Sequence, residues 1–425
     1  MNLISSVRNS TVVNTLRQGI PNSAINTLKH LPTGLVANLI YGFPSRDLTI
    51  IGVTGTDGKT TTASMLYHIL HQNGFKVALI STVSAKIGSE EIDTGFHVTS
   101  PDHFPLQKLL KKIRDKGFSY VVLEVTSHGL AQHRFLGVKF TGGIVTNITK
   151  DHLDYHKTWE NYALAKAKLF QDTSFAILNH EDKSFAFLKT RAKGKLVTYG
   201  EKLGDWNRNS FLISLRVLGD FNYLNALAAS AAAYELEVSK LKIAKALTSF
   251  TGVKGRMQVM QSKPFMIVVD FAHTPNALLT ALKSIRKVSD GRIISIFGCA
   301  GMRDRNRREM GKVSAQNADI TVITAEDPRE EGVEKISKEI AQWAVKGGAK
   351  EVSKSALLQN RSSKTPVFVC IPDRQEAINF GVSIAKKGDL VGIFGKGHEQ
   401  SMCFGTVETP WSDQEAVKKA LLLRK

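Results

Sequence analysis

Leu48-Thr-Ile-Ile-Gly-Val-Thr-Gly55-Thr-Asp-Gly58-Lys59-Thr60-Thr61 decides the fold. Its first seven residues are mostly apolar and β-branched, the texture of a short buried strand. Gly55 and Gly58 mark a tight turn, and a helical run follows over Thr60–Asn73. A strand, a glycine-containing turn and a helix in that order turn backbone N–H groups and the positive end of a helix dipole toward an anion. Gly55, Thr56, Asp57, Gly58, Lys59, Thr60 and Thr61 therefore read as a phosphate loop. Lys59 is placed to reach the β- and γ-phosphates, and the Thr60 hydroxyl to bind Mg²⁺. The full GxxxxGK[ST] pattern is not met, because position 53 is Val rather than Gly.

Outward from this loop the texture repeats. Lys76–Thr82, Tyr120–Val125, Gly142–Asn147 and Ala176–Asn179 read as strands, and Leu106–Lys116, Trp159–Phe170 and the Ala-rich Phe221–Tyr234 as helices. A second alternation begins near Met257. Its strands are Phe265–Asp270, Arg292–Gly298, Ile320–Thr324, Val367–Cys370 and Leu390–Gly395, and its helices Pro275–Lys287 and Arg308–Asn317. Strands alternating with helices predict α/β architecture with parallel, doubly wound sheets. Gly252-Val-Lys-Gly255 reads as the joint, giving domains at 49–253 and 254–425 behind a short N-terminal helical segment, 1–48.

Composition narrows the function. The 425 residues are 42% hydrophobic and 22% charged, which excludes disorder as the main state. No apolar run is long enough for a spanning helix. Lys and Arg number 57 against 38 Asp and Glu, and the net charge of +19 favours anionic partners. Three scattered cysteines, Cys299, Cys370 and Cys403, support neither a zinc knuckle nor a disulfide framework, and fit a reduced, cytoplasmic setting. The first 46 residues hold Arg8, Arg17, Lys29 and Arg46 and no acid, with apolar residues at helical spacing. They lack the continuous apolar core of a secretory signal and read as a helical appendage.

Polar groups load other strand ends. Glu124 closes the Tyr120–Val125 strand at the carboxyl edge, where open α/β sheets bind ligands. Asp151 and His152 follow another strand within Asn147–His156. Mg²⁺ takes oxygen ligands and phosphates, so Glu124 and Thr60 suit it; His152 is a less usual ligand.

Taken together these residues resemble the Mur ligase family, in its MurE type. The likeness runs from about Leu48 to the C-terminus. It is carried by Gly52–Thr62, Leu123-Glu-Val-Thr-Ser-His-Gly-Leu-Ala-Gln-His-Arg134, Thr146–His156, Tyr162–Phe170, Gly219–Asn225, Gly255-Arg-Met, Val269–Pro275, Ile296–Gly311, Glu326-Asp-Pro-Arg329 and Gly395-Lys-Gly-His-Glu399. The resemblance implies an ATP- and Mg²⁺-dependent ligase adding the third amino acid to UDP-N-acetylmuramoyl-L-Ala-D-Glu for peptidoglycan. The route runs through an acyl phosphate, and catalysis is mostly positioning and charge neutralisation.

By the same resemblance, Lys59 and Thr60 hold phosphate and one metal ion, Glu124 is a metal ligand, and His152 belongs with a second ion. Lys166 matches the lysine this family carbamylates, which turns an ammonium into an anionic oxygen donor. Asn225, Arg256 and Asp270 match positions against adenosine. Thr99, Ser100, Thr126, Gln132 and Arg134 match the surroundings of the dipeptide, with Arg134 facing the reacting carboxylate. Arg303, Asp327, Arg329, Gly395 and Glu399 match the positions around the incoming amino acid.

Two features depart from the family. It normally carries a full N-terminal domain that grips the uridine diphosphate, whereas residues 1–48 are too few for one. UDP recognition then falls to the basic N-terminal segment or a partner, or the carrier differs. Glu326-Asp327-Pro328-Arg329 also stands where the diaminopimelate form has Asp-Asn-Pro-Arg. An anion at Asp327 favours a distal ammonium, as in lysine; Arg303 and Arg329 favour a distal carboxylate, as in diaminopimelate. Two arginines tip the reading to meso-diaminopimelate, with L-lysine close behind. The alternatives are a folylpolyglutamate-type ligase on another carboxylate, and a non-catalytic nucleotide-binding regulator. No nucleic-acid module is readable.

Overall fold

The computed structural model describes residues 26–92, 100–149, 151–359 and 365–424. Contacts divide the chain into two units, Met1–Ser214 with Leu224–Leu247, and Leu215–Tyr223 with Thr248–Lys425.

The first unit is built on an eight-stranded sheet ordered β4-β3-β2-β5-β1-β6-β7-β8. Its strands are β1 (Thr49–Thr54), β2 (Val77–Ile80), β3 (Ala85–Ile87), β4 (Glu90–Ile92), β5 (Tyr120–Glu124), β6 (Phe140–Val145), β7 (Phe175–Asn179) and β8 (Lys195–Tyr199). Pairing is parallel from β2 through β8, and β3 and β4 add an antiparallel edge. Central β1 is buried along almost its whole length, as a strand covered on both faces must be. Gly52 within it has no room for a side chain: a Cβ there would lie 2.5 Å from Leu169 Cδ1. That closeness seats the end of helix Trp159–Ala167 and the turn Lys168–Phe170 on the sheet.

Ahead of β1, helix Leu31–Tyr41 ends at Gly42 in the left-handed conformation. Only Gly34, Ala37 and Asn38 of this helix are buried. The Asn38 side-chain amide donates to Leu136 O at 2.6 Å, and a Cβ on Gly34 would meet His103 and Leu136.

The second unit holds a seven-stranded sheet ordered β13-β14-β12-β11-β15-β10-β9. These are β9 (Gln258–Gln261), β10 (Met266–Asp270), β11 (Ile293–Phe297), β12 (Ile320–Ile323), β13 (Lys350–Glu351), β14 (Val367–Cys370) and β15 (Leu390–Phe394). Only β9 runs antiparallel. A separate hairpin pairs β16 (Ser401–Phe404) with β17 (Val407–Pro410). Both units thus have the parallel-dominated α/β architecture predicted from the alternation.

Candidate active site

In the first unit the loop after β1 is fastened by the loop after β6. Thr56 N–H donates to Asn147 O at 2.8 Å, and Asp57 N–H to Asn147 Oδ1 at 2.9 Å. The Thr146 hydroxyl donates to Asp57 O at 2.6 Å. Gly55 has φ 151°, and a Cβ there would fall 1.8 Å from Thr146 Oγ1. Gly58 has φ 82°, and its Cβ would fall 2.3 Å from Asn225 Oδ1. Both glycines are required by backbone conformation and by space. Lys59 lies across the loop, its Nζ donating to Gly55 O at 3.1 Å and Thr56 O at 2.8 Å. Thr60 and Thr61 sit buried in the first turn of helix Lys59–Gln72.

Glu124 is 1% exposed at the end of β5. Its Oε1 accepts the Thr60 hydroxyl at 3.1 Å and its Oε2 the Thr82 N–H at 3.0 Å. Lys166 is also 1% exposed. Its Nζ donates to Gly55 O at 2.7 Å and lies 4.5 Å from the centre of the Tyr162 ring. Burial, with Lys59 adding repulsion, holds this amine well below the ordinary lysine range, against the opposing pull of Asp151 and Asp57. His152 is held in the left-handed region, φ 53°, with Nε2 3.4 Å from Asp151 Oδ2 and its ring against His128. Tyr162 stands between the two groups, since His152 packs edge-on to it at 6.3 Å.

Ser100, Thr126, Gln132 and Arg134 converge. The Thr126 hydroxyl donates to Ser100 Oγ at 2.9 Å. Arg134 donates to Ser100 O at 2.8 Å and Gln132 Oε1 at 2.9 Å, and pairs with Asp102 at 3.3 Å. Thr99 lies outside the described residues.

In the second unit Asp270 ends β10 and accepts N–H groups from Met257 at 2.7 Å and Ala272 at 2.8 Å. Desolvation raises its carboxyl above the usual range, opposed by Arg256 and these amides. The Arg256 guanidinium lies 4.4 Å from the centre of the Phe271 ring.

A second cluster joins the ends of β12 and β15. Lys396, 1% exposed, pairs with Asp327 at 2.8 Å and Glu399 at 2.5 Å. Asp327 also accepts the Cys403 N–H at 2.9 Å. Burial works against the Lys396 ammonium, but Glu399 and Asp327 outweigh it and raise its pKa. A Cβ on Gly395, φ 110°, would lie 3.1 Å from the Glu326 carboxyl. Gly301 N–H donates to Asp327 O at 2.9 Å, which brings the turn carrying the exposed Arg303 against this motif. Glu326 and Lys396 were not singled out from sequence, although both lie inside the quoted motifs. Their depth of burial is what marks them.

A phosphate loop ending in Lys-Thr-Thr, with a buried glutamate on its threonine, defines a nucleotide-dependent α/β enzyme. Residues 53–233 match the Mur ligase middle domain and 255–397 the Mur ligase, glutamate ligase domain. The chain belongs to the Mur ligase family of ATP-dependent acid–amino-acid ligases. It is 37% identical over 412 residues to the UDP-N-acetylmuramoyl-L-alanyl-D-glutamate–2,6-diaminopimelate ligase of Bacteroides fragilis, covering 92% of this chain and 81% of that one. Identity to the ligase of the same name from Aquifex aeolicus is 35% over 409 residues, covering 91% and 80%. A solved structure of a ligase so named superposes with a TM-score of 0.60 at 30% identity, covering 89% and 79%. MurF of Thermotoga maritima, solved with ADP, shares the fold, with a TM-score of 0.65 at 18% identity over 92% and 83%.

Proposed function

We propose that the chain joins meso-diaminopimelate to the terminal carboxylate of UDP-N-acetylmuramoyl-L-Ala-D-Glu. In this reading ATP phosphorylates that carboxylate, and the amine of the incoming amino acid displaces the phosphate. The carrying observation is the pair of buried groups around the phosphate loop, the Thr60–Glu124 hydrogen bond and the Lys166 amine on Gly55 O.

The donor set suits Mg²⁺ with nucleotide phosphates: hydroxyl and carboxylate oxygens side by side in a dry corner. A bound Mg²⁺ would neutralise developing phosphate charge. His152 would belong with a second ion.

Lys166 would act as a carbamate. A neutral amine attacks CO₂, forms an N–C bond and releases a proton, and burial already favours the neutral amine. The N–H that remains can still donate to Gly55 O. Arg134 would hold the reacting carboxylate, with Ser100, Thr126 and Gln132 fixing its plane. Asn225, Arg256 and Asp270 would contact adenosine. Arg303, Arg329, Gly395 and Glu399 would receive the distal end of diaminopimelate. Asp327 keeps its charge on Lys396 and the Cys403 N–H, which removes the main argument for lysine.

The test is phosphate release from ATP and Mg²⁺ with dipeptide and amino acid added singly and together. Release only with both supports the reading. Bound ATP without release under any combination rejects the dipeptide as substrate.

A further inference from the structure

Helix Leu31–Tyr41 has no charged residue on any side. Its polar Asn38 lies on the buried side, and an uncharged apolar face turned outward belongs against another apolar medium. Here Gly34, Ala37 and Asn38 bind it tightly to the first unit, while Leu31, Leu35, Val36, Leu39 and Ile40 face out. Leu39 and Ile40 are each 63% exposed, and Leu28 just ahead of the helix is 78% exposed. Single exposed leucines are ordinary, but six large apolar side chains within thirteen residues form a contiguous patch that marks an interaction surface.

The charge around the patch selects the partner. Lys29 and Arg46 flank the helix, Lys108 lies exposed on helix His103–Asp115 packed against it, and Lys139 N–H bonds Ser45 Oγ beside its C-terminal end. None of these four cations pairs with an acid among the described residues. The acids of the same elements are already engaged: Asp47 with Arg114, Asp102 with Arg134 and Asp115 with Lys111. A cavity of about 430 Å³ opens on the adjoining loop, with Leu130, Phe135 and Val138 in its wall and Lys139, Lys168 and Asp172 also lining it. Arg46 stacks on Phe43 at 4.4 Å, and an apolar face with cations on the elements around it matches the acyl boundary and headgroups of an anionic bilayer. No described helix is long and apolar enough to cross a membrane, so the contact is interfacial.

We propose that the outward face of helix Leu31–Tyr41 docks the protein on anionic lipid membranes, with Lys29, Arg46, Lys108 and Lys139 against the headgroups. The proposal does not depend on the amino acid ligated.

The test is flotation of the full chain with vesicles of phosphatidylglycerol and phosphatidylcholine, against phosphatidylcholine alone, at low and high salt. Binding to the anionic vesicles should be at least about tenfold tighter and should weaken with salt. L35S/L39S should bind about tenfold less or worse, and K108E/K139E should lose most of the salt-dependent part. All these side chains are exposed, so melting temperature and ATP affinity should match the parent and rule out misfolding. Absence of vesicle binding by the parent chain, or undiminished binding by L35S/L39S, overturns the proposal. So does a parent dimer that L35S/L39S makes monomeric without any lipid effect, which would assign the face to a second copy.

Discussion

The phosphate loop of the first unit and the Glu326–Arg329 turn of the second handle their polar groups in opposite ways. In the loop, strain falls on glycines, Gly55 and Gly58, and Asn147 and Thr146 take up the neighbouring backbone groups. In the turn, strain falls on Asp327, φ 40°, and Arg329, φ 53°, which are not glycines. Such positions cost on the order of 1–3 kcal/mol each. Glu326 Oε2 and Arg329 Nε are buried there without a hydrogen-bond partner among the described residues. Buried polar groups are nearly always paired, so these two stand out beside the strained backbone. The loop's backbone groups are met within the fold, whereas the turn keeps two buried polar atoms that no described residue meets.

If the first region is a finished cradle, removing one member should be ruinous to chemistry and mild for folding. Lys166→Ala should lower turnover on the order of 10³-fold. Short carboxylic acids should restore part of it, because they return an anionic oxygen donor to the space the carbamate left. Full activity in Lys166→Ala, or no rescue by any small acid, would break the claim that a carbamate stands there. The second region should fail by folding instead. Arg374 and Asp413 are both 0% exposed and joined at 2.8 Å, and Arg374 also donates to Ala325 O and Phe394 O, the carbonyls just ahead of Glu326 and Gly395. Asp413→Ala strands a buried guanidinium and should cost about 3–5 kcal/mol in denaturant unfolding. A loss under about 1 kcal/mol would show that this pair does not hold the recess together.

The two regions were unequally legible in the sequence. The loop could be read because its function depends on backbone: glycines, a helix start and a lysine at fixed spacing leave few other readings. The strands β1, β2, β5, β6 and β7 showed through as β-branched apolar runs, while β8 was missed. The edge strands β3 and β4 and the β16–β17 hairpin did not, being short and carrying polar or exposed residues such as Glu90, Glu91 and Glu408. The recess was legible only through family resemblance, and incompletely. Asp327 reads from the sequence as an anion facing a ligand, but its charge is spent on Lys396, sixty-nine positions later in the chain. No local pattern carries that pairing. Glu326 looks like any acid in a loop until the fold buries it.

That pairing sets the third prediction. With Asp327 engaged by Lys396 and the Cys403 N–H, diaminopimelate should be preferred to lysine by at least about tenfold in kcat/KM, or about 1.4 kcal/mol. Asp327→Asn should leave that ratio within about threefold, since the carboxylate is not the discriminating group. A swing toward diaminopimelate larger than this in Asp327→Asn would mean that Asp327 reaches the ligand despite its bond to Lys396.

A pH effect of at most about 1.4 kcal/mol per unit tests the recess most directly. Burial pushes the Glu326 carboxyl up to about 8 from its ordinary 4.5, against the pull of Lys396, Arg307 and Arg374. Between those values the folded chain keeps a proton that the unfolded chain has released. Stability should therefore fall as pH rises through this window, by at most about 1.4 kcal/mol per pH unit for one proton. Glu326→Gln keeps the shape and cannot titrate, so its stability curve should be flatter over the same range. Denaturant midpoints of the two proteins from about pH 5 to about pH 9 supply the comparison. Parallel curves would place the Glu326 charge in solvent or on a partner, and the turn would then be as complete without substrate as the phosphate loop. Curves that diverge as pH rises would mark Glu326 as an acceptor held in reserve in the substrate-free protein.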